Sequence, residues 1–549
     1  MTSEPGGLGQ TGRRLLAWVL VAAAAGNSVA DVTWLQKLVA SDGQQDDQFG
    51  RSVALRGGLL AISAPLDDDA GPQSGSVYVF SKSGPGWVAS AKLTPVDAMP
   101  YQVLGLAGLD LDTDRILVGA TGDGANGAQS GAAYLFSNSA GSWTESAKLI
   151  PADGAPYDSF GWAVAIEGTT AVVASYLADG VHSDSGAVYV FTEEATGWVE
   201  QAKLTASDAF ASDWFGYRLD LSGDTLAVGA PWDDDHGSRS GAVYLFERSG
   251  EVWAEISKLT PADAQPGDQF GHDVSLDGAR LAVGAAYADG LAQNSGAAYV
   301  FVHDSESWSQ QARLEAQVPA EFDGFGSRVA LDGDALIVTS ELDDNDLGLD
   351  AGAATLFTYC AGIWSLDVTL YAPDGQPADL YAADVAFDDG LALLGAARDD
   401  APADDEGSAH VYRTSTPIGT PYCTASLNSS GQSARICASG SRVREQQDLK
   451  LIVEGLPATV PGLLYFGSGQ IQIPFGDGTR CVGNGPHYRL WPFLHSDSAG
   501  HAVRAINWAA DYAEFILAGT NLNFQFWFRD GAAGGAGFNL TDAVEIAFE

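Results

Sequence analysis

Positive charge is scarce in this chain. Its 549 residues hold 27 lysines and arginines against 71 aspartates and glutamates, a formal charge of −44. A surface of that sign repels phosphate backbones and anionic bilayers, so nucleic acid and acidic membranes are excluded as partners. Cations and basic surfaces remain. Cysteine is also rare: Cys360 stands apart, while Cys423, Cys437 and Cys481 fall near the C-terminus. No CxxC spacing occurs, which excludes a zinc site built on paired thiolates, and sequence leaves the disulfide pairing open. The histidines are scattered, without HExxH spacing, and neither a GxSxG elbow nor a phosphate-binding glycine loop is present. Acidic residues are so common that no glycosidase-type pair stands out. On these grounds no catalytic residue is assigned and a non-enzyme is expected.

Long apolar runs are missing after the N-terminus. The one run there, "LLAWVLVAAAA" at 15–25, follows Arg13 and Arg14 and precedes small residues at Ser28 and Ala30. It is short for a bilayer crossing and has the order of a secretory signal. Residues 1–30 are therefore expected to be removed near Ala30, leaving a secreted or cell-surface chain without a transmembrane segment. Four cysteines suit that oxidising compartment.

What the chain has in abundance is glycine, at 66 residues, with aspartate, serine, valine and aromatics. That mixture favours short strands joined by tight turns. Three markers recur with a period of about 55 residues. The first is Trp followed by Lys-Leu, as in "WVASAKL" at Trp87 and "WAEISKL" at Trp253. The second is Phe-Gly, as at Phe215-Gly216 and Phe270-Gly271. The third is "SGAVYLF" around Gly241 and its relatives. Between markers the pattern is that of strands: alternating "YRLDL", a polar turn, apolar "TLAVGAP", an acidic loop, "SGAVYLF", a turn, and "WAEISKL". Four strands per unit and seven units point to an all-β, seven-bladed β-propeller over 31–413. A Trp-Lys-Leu strand precedes the first Phe-Gly and none follows the last unit, so Trp34 to Ala40 should supply the outer strand of the last blade.

The segments "FGYRLDLSGDTLAVGAP" and "FGHDVSLDGARLAVGAA" resemble the FG-GAP repeats of the integrin α-subunit propeller and its bacterial relatives. The resemblance covers about residues 34–414 and implies a propeller used for adhesion or protein contact. Many such repeats carry an Asp-x-Asp-x-Asp-Gly calcium loop between the first two strands. Here that place holds only short turns, and the nearest match, "DLDTDR" at Asp110, has Arg115 where glycine is needed. Calcium asks for six to eight oxygens, so binding is not expected at these turns.

The acidic residues fall elsewhere. In an up-and-down sheet, the loop between the second and third strands shares an end with the loop into the next blade. Asp67, Asp69, Asp233 and Asp235 lie in loops of the first kind, and Asp263 and Asp268 in one of the second. Both sets should crowd one rim, where calcium bridging neighbouring loops is the candidate cofactor. The Asp before Phe-Gly, as in "DQFG", is also suited to capping a turn.

"TSTPIGTP", 414–421, breaks the period and reads as a linker. Strand-like runs such as "GLLYFG" and "LNFQFWF" then indicate a C-terminal β-sandwich over 422–549. Its sequence is similar to a C-terminal module of large exported planctomycete-type bacterial proteins, and Trp491, Trp508 and Trp527 read as core aromatics there. The expected function is binding or adhesion through an acidic propeller face, with an extracellular protein or glycan, basic in character, as partner. The alternatives are a secreted hydrolase or lyase acting on extracellular polysaccharide, and a calcium-stabilised structural surface protein.

Overall fold

The computed structural model describes residues 32–549 except 305, 361–362, 401–404, 415–416, 419, 424, 432, 440–448, 484–486, 499, 507–519, 532–536 and 548–549. The proposed signal segment, 1–30, lies outside the described residues. Every regular element described is a strand, and among the described residues no helix is long and apolar enough to cross a membrane.

Seven four-stranded antiparallel sheets follow one another along the chain. Blade four shows the pattern: Arg218–Ser222, Thr225–Ala230, Ala242–Ser249 and Val252–Leu259 pair in chain order. The seventh sheet departs from that order. Its fourth strand is the N-terminal Val32–Leu38, paired with Ser408–Thr414. Repeat and blade are thus out of phase by one strand, as the marker order requires.

The second strand of each blade is buried on both faces, which explains apolar runs such as Leu226 to Ala230. Core clusters form between blades rather than within them. One joins Val228 and Tyr244 of blade four to Val172 and Val190 of blade three. Another joins Val243 and Leu245 of blade four to Phe270 and Tyr299 of blade five. A further cluster joins Leu391 and Val411 of the seventh sheet to Phe49 and Ile62 of the first.

The Phe-Gly marker clips one blade to the next. Phe270 is fully buried and meets Tyr299 and Phe301 edge-on, with ring centroids 5.4 and 5.8 Å apart. Its amide donates to the Ser240 carbonyl at 3.0 Å, in the preceding blade. Gly241 sits against this contact with φ +83°, and a Cβ there would lie 2.1 Å from the Phe270 carbonyl oxygen. Only glycine fits such an approach in the left-handed region. The recurring tryptophans do packing work: Trp253 is buried and donates Nε1–H to Gln201 on the neighbouring outer strand, 3.2 Å away. Trp34, on the N-terminal strand, stays half exposed.

The stretch expected as a linker contains two short strands that pair in the C-terminal sheets, Pro417–Ile418 and Thr420–Tyr422. Beyond it, a four-stranded and a five-stranded sheet share one core that includes Ile436, Leu451, Phe466, Phe524 and Phe526. This is the expected sandwich. Cys423 is bonded to Cys481. Cys437 is disulfide-bonded as well, and the Cys360 side chain lies outside the described residues.

Candidate functional site

Asp208, in the loop entering blade four, and Asp233, in the loop between its second and third strands, do converge, and between them stands Lys258. Its Nζ lies 2.7 Å from Asp208, 2.8 Å from Asp233 and 2.6 Å from Asp235. The Tyr244 hydroxyl, on the third strand, lies 2.7 Å from Asp208 and 2.8 Å from Asp233. Three carboxylates and a phenol therefore surround an ammonium supplied by the blade's own fourth strand. Burial works against ionising Asp208, but hydrogen bonds from Lys258 and Tyr244 prevail and hold its pKa below the usual value. The remaining aspartate of the triplet, Asp234, accepts the Arg239 amide at 2.6 Å and so shapes the loop.

The same node recurs. In blade one Lys92 meets Asp42, Asp67 and Asp69 at 3.0, 2.8 and 2.5 Å. Blade two uses Lys148 with Asp97 and Asp123, both at 2.8 Å. In the seventh sheet the lysine comes from the N-terminal strand: Lys37 lies 2.7 Å from both Asp374 and Asp399. Asp374, Asp399 and His410 place potential ligand atoms within 4.8 Å of one another, but the Lys37 ammonium already stands between the two carboxylates and pairs with both. Burial opposes ionisation of Asp399, yet hydrogen bonds from His410, Lys37 and Ser408 hold it at about 2. Blades three and five are reduced, with Ala178 and Ala288 at the loop position; Lys203 keeps Asp153 at 2.6 Å and Arg313 reaches Asp263 at 3.3 Å.

Each candidate metal residue now has a place. Asp67, Asp69, Asp233 and Asp235 face a lysine, and Asp263 faces an arginine. Asp268 caps its own turn, accepting the Gln265 amide at 2.8 Å. Asp47 and Asp213 cap the equivalent turns, and burial pushes both carboxyls up to about 6. Asp110 and Asp112, in the nearest match to a calcium loop, accept the Ile166 and Gly168 amides of the next blade, each at 2.7 Å. These groups lace the first strands together.

Sequence reasoning missed the lysine and tyrosine. Both belong to the repeat markers, and the steps Asp208–Asp233–Tyr244–Lys258 match Asp97–Asp123–Tyr134–Lys148 almost residue for residue. It also missed an aromatic cluster on the same end of the propeller. Trp162, Tyr217 and His272 each follow a Phe-Gly, and Tyr176, Trp214 and Trp232 lie on adjoining loops. Trp214 stacks on Trp232 at 3.4 Å, and the Arg239 guanidinium covers Trp232 at 3.9 Å. Arg218 lies against Trp162 and Tyr217 and 3.5 Å from Asp273.

The FG-GAP repeat family matches residues 33–80, 87–136, 143–191, 198–246, 253–301, 308–357 and 364–412. The chain is an FG-GAP repeat protein. Each match begins with the outer strand of one sheet and ends in the third strand of the next, the phase offset seen in the fold. No curated protein matches the chain.

Proposed function

We propose that this FG-GAP repeat protein is an exported, non-enzymatic binding protein whose loop-bearing propeller face docks an extracellular protein. One observation carries the reading: large apolar side chains stand in water on the loops at that end. Tyr101 is 63% exposed, Tyr157 63%, Phe210 67%, Leu291 85%, Phe322 53% and Leu349 70%. They come from inter-blade loops and from loops between second and third strands. Apolar groups rimmed by polar ones characterise docking surfaces. The acids beside them are largely committed to lysines and turn amides, so the apolar loops supply contact area, while the net charge of −44 favours encounter with a basic partner. A disulfide at Cys423–Cys481 fits an oxidising compartment.

The test is a screen of the immobilised chain against extracellular proteins and glycans, with turnover assayed on every hit. Phe210→Ser combined with Tyr157→Ser should weaken a protein hit about tenfold without moving the melting temperature. Unchanged affinity overturns the docking face. Turnover of a polysaccharide hit overturns the non-enzymatic reading in favour of a secreted hydrolase or lyase.

A further inference from the structure

The five-stranded sheet of the C-terminal domain has two faces of different chemistry. Leu464, Phe466, Leu490 and Phe526 point into the core shared with the other sheet. Strand alternation sends their neighbours Leu463, Tyr465, Arg489, Trp491 and Trp527 the other way. An outer sheet face that meets water is ordinarily polar. This one is aromatic.

The hairpin formed by Gln470–Phe475 and Gly478–Val482 folds over part of that face. It is tied down by the Cys423–Cys481 bond, by the Gln525 side-chain amide donating to the Thr479 carbonyl at 2.8 Å, and by Phe475 packing on Phe538 with centroids 5.5 Å apart. Between hairpin and sheet lies a cavity of about 400 Å³. Its rings are largely in water: Trp491 is 52% exposed, Phe493 45% and Phe475 43%. The expectation of core packing therefore fails for Trp491, because the core side of its strand is taken by Leu490. Trp527 lines the same cavity, and Trp508 lies outside the described residues.

The charge of the cavity is the second observation. Among the described residues its lining includes Arg480 and Arg489 and no carboxylate, in a chain of net charge −44. Arg480 is held in place by donating Nε–H to the Val482 carbonyl at 3.0 Å, with its guanidinium 6.0 Å from the Phe475 ring centroid.

We infer that this cleft binds a small organic anion with a flat apolar body, of the aromatic carboxylate class. The rings of Trp491, Phe475 and Trp527 receive the body, and Arg489 and Arg480 receive the carboxylate. The volume is that of a small-molecule site. A sugar is disfavoured because an apolar lining leaves most hydroxyls without partners. Arginine forks match carboxylate geometry and gain strength beside apolar walls.

Calorimetry on the full chain with 2-naphthoate tests this, using the neutral methyl ester as the comparison. Saturable one-to-one binding is expected for naphthoate. Arg489→Gln should weaken naphthoate about tenfold and leave the ester unchanged, whereas Trp491→Ala should weaken both. Both side chains are exposed, so neither change should move the melting temperature; if Trp491→Ala does, Arg489→Gln carries the test alone. Equal naphthoate affinity in Arg489→Gln and the parent overturns the inference, as does equal affinity for acid and ester in the parent. Displacement of naphthoate by a hexuronate oligosaccharide would also overturn it, in favour of an acidic sugar. The propeller variant Phe210→Ser should bind naphthoate normally; a loss there would place the probe on the other face.

Discussion

Blades four and six share a backbone and differ in almost every charge at the node. Blade four brings Asp208, Asp233, Asp235, Tyr244 and Lys258 together. Blade six has Val318, Asp343, Asn345, Thr355 and Thr369 at those positions. Its two threonine hydroxyls lie 3.2 Å apart, and Asn345 donates to Asp343 at 3.0 Å. Lysine, tyrosine and two of the three aspartates have gone together, which is the pattern expected of charges that tolerate one another only as a set. What the two blades retain is the glycine before the third strand and the aromatic that reaches it from the next blade. The blade therefore depends on that clip, and the node is an addition to it.

The largest effects should come from breaking what both blades keep. Gly241→Ala and Gly352→Ala each force a side chain into the left-handed region, with a Cβ 2.1 and 2.2 Å from a carbonyl oxygen. Each should cost about 3 kcal/mol. Matched thermal melts check this, and a large difference between the two variants would break the comparison.

Next comes the lysine that blade four has and blade six lacks. Lys258→Ala leaves buried Asp233 facing Asp208 and Asp235 with no cation. A loss of about 2 kcal/mol is expected, more than an exposed ion pair would give, because Asp233 is almost wholly covered. Calcium sharpens the point. Millimolar calcium should raise the melting temperature of Lys258→Ala by more than it raises that of the parent, since the variant frees three carboxylates at one spot. An equal or larger rise in the parent would restore the calcium reading of these loops.

The node's exposure as a set predicts a smaller effect for a larger change. Asp208→Val with Lys258→Thr copies blade six at two positions and removes one charge of each sign. The double variant should lose about 1 kcal/mol, less than Lys258→Ala alone, because fewer carboxylates remain in conflict. A sum of independent losses in denaturant titration would show that the residues do not act together.

Legibility in the sequence followed the same division. The clip was readable because Phe-Gly and its partner glycine recur at one period, and the displaced N-terminal strand followed from marker order. The rim was readable as a place, since connectivity puts both loop sets at one end. The lysines were in view but served only as register marks; their charge acquires meaning once the third and fourth strands set Tyr244 and Lys258 side by side. Trp162, Tyr217 and His272 occupy a position that varies from repeat to repeat, so periodicity could not single them out. In the C-terminal domain, the run "YRLWPFL" at 488–494 carries large apolar residues on both faces, and alternation alone does not say which face meets water. Trp491 was misplaced for that reason.

The smallest effect concerns pH, and it separates the turn caps from the nodes. Asp47, Asp213 and Asp379 are pushed up to about 6 by burial. A carboxyl whose folded pKa lies above its unfolded value binds more protons in the folded state over that window. Its contribution to stability therefore rises as pH falls from about 6 toward 4. Asp399, held at about 2, has the opposite sign: its contribution is full above the unfolded carboxylate range and is lost as pH falls from there toward 2. The chain should keep or gain stability between pH 7 and 5, then lose it steeply below 4. Asp213→Asn should flatten the first limb, and Asp399→Asn the second, in melts run across this range. A steady loss from pH 7 downward would mean that the ion nodes, which blade six does without, govern the whole propeller after all.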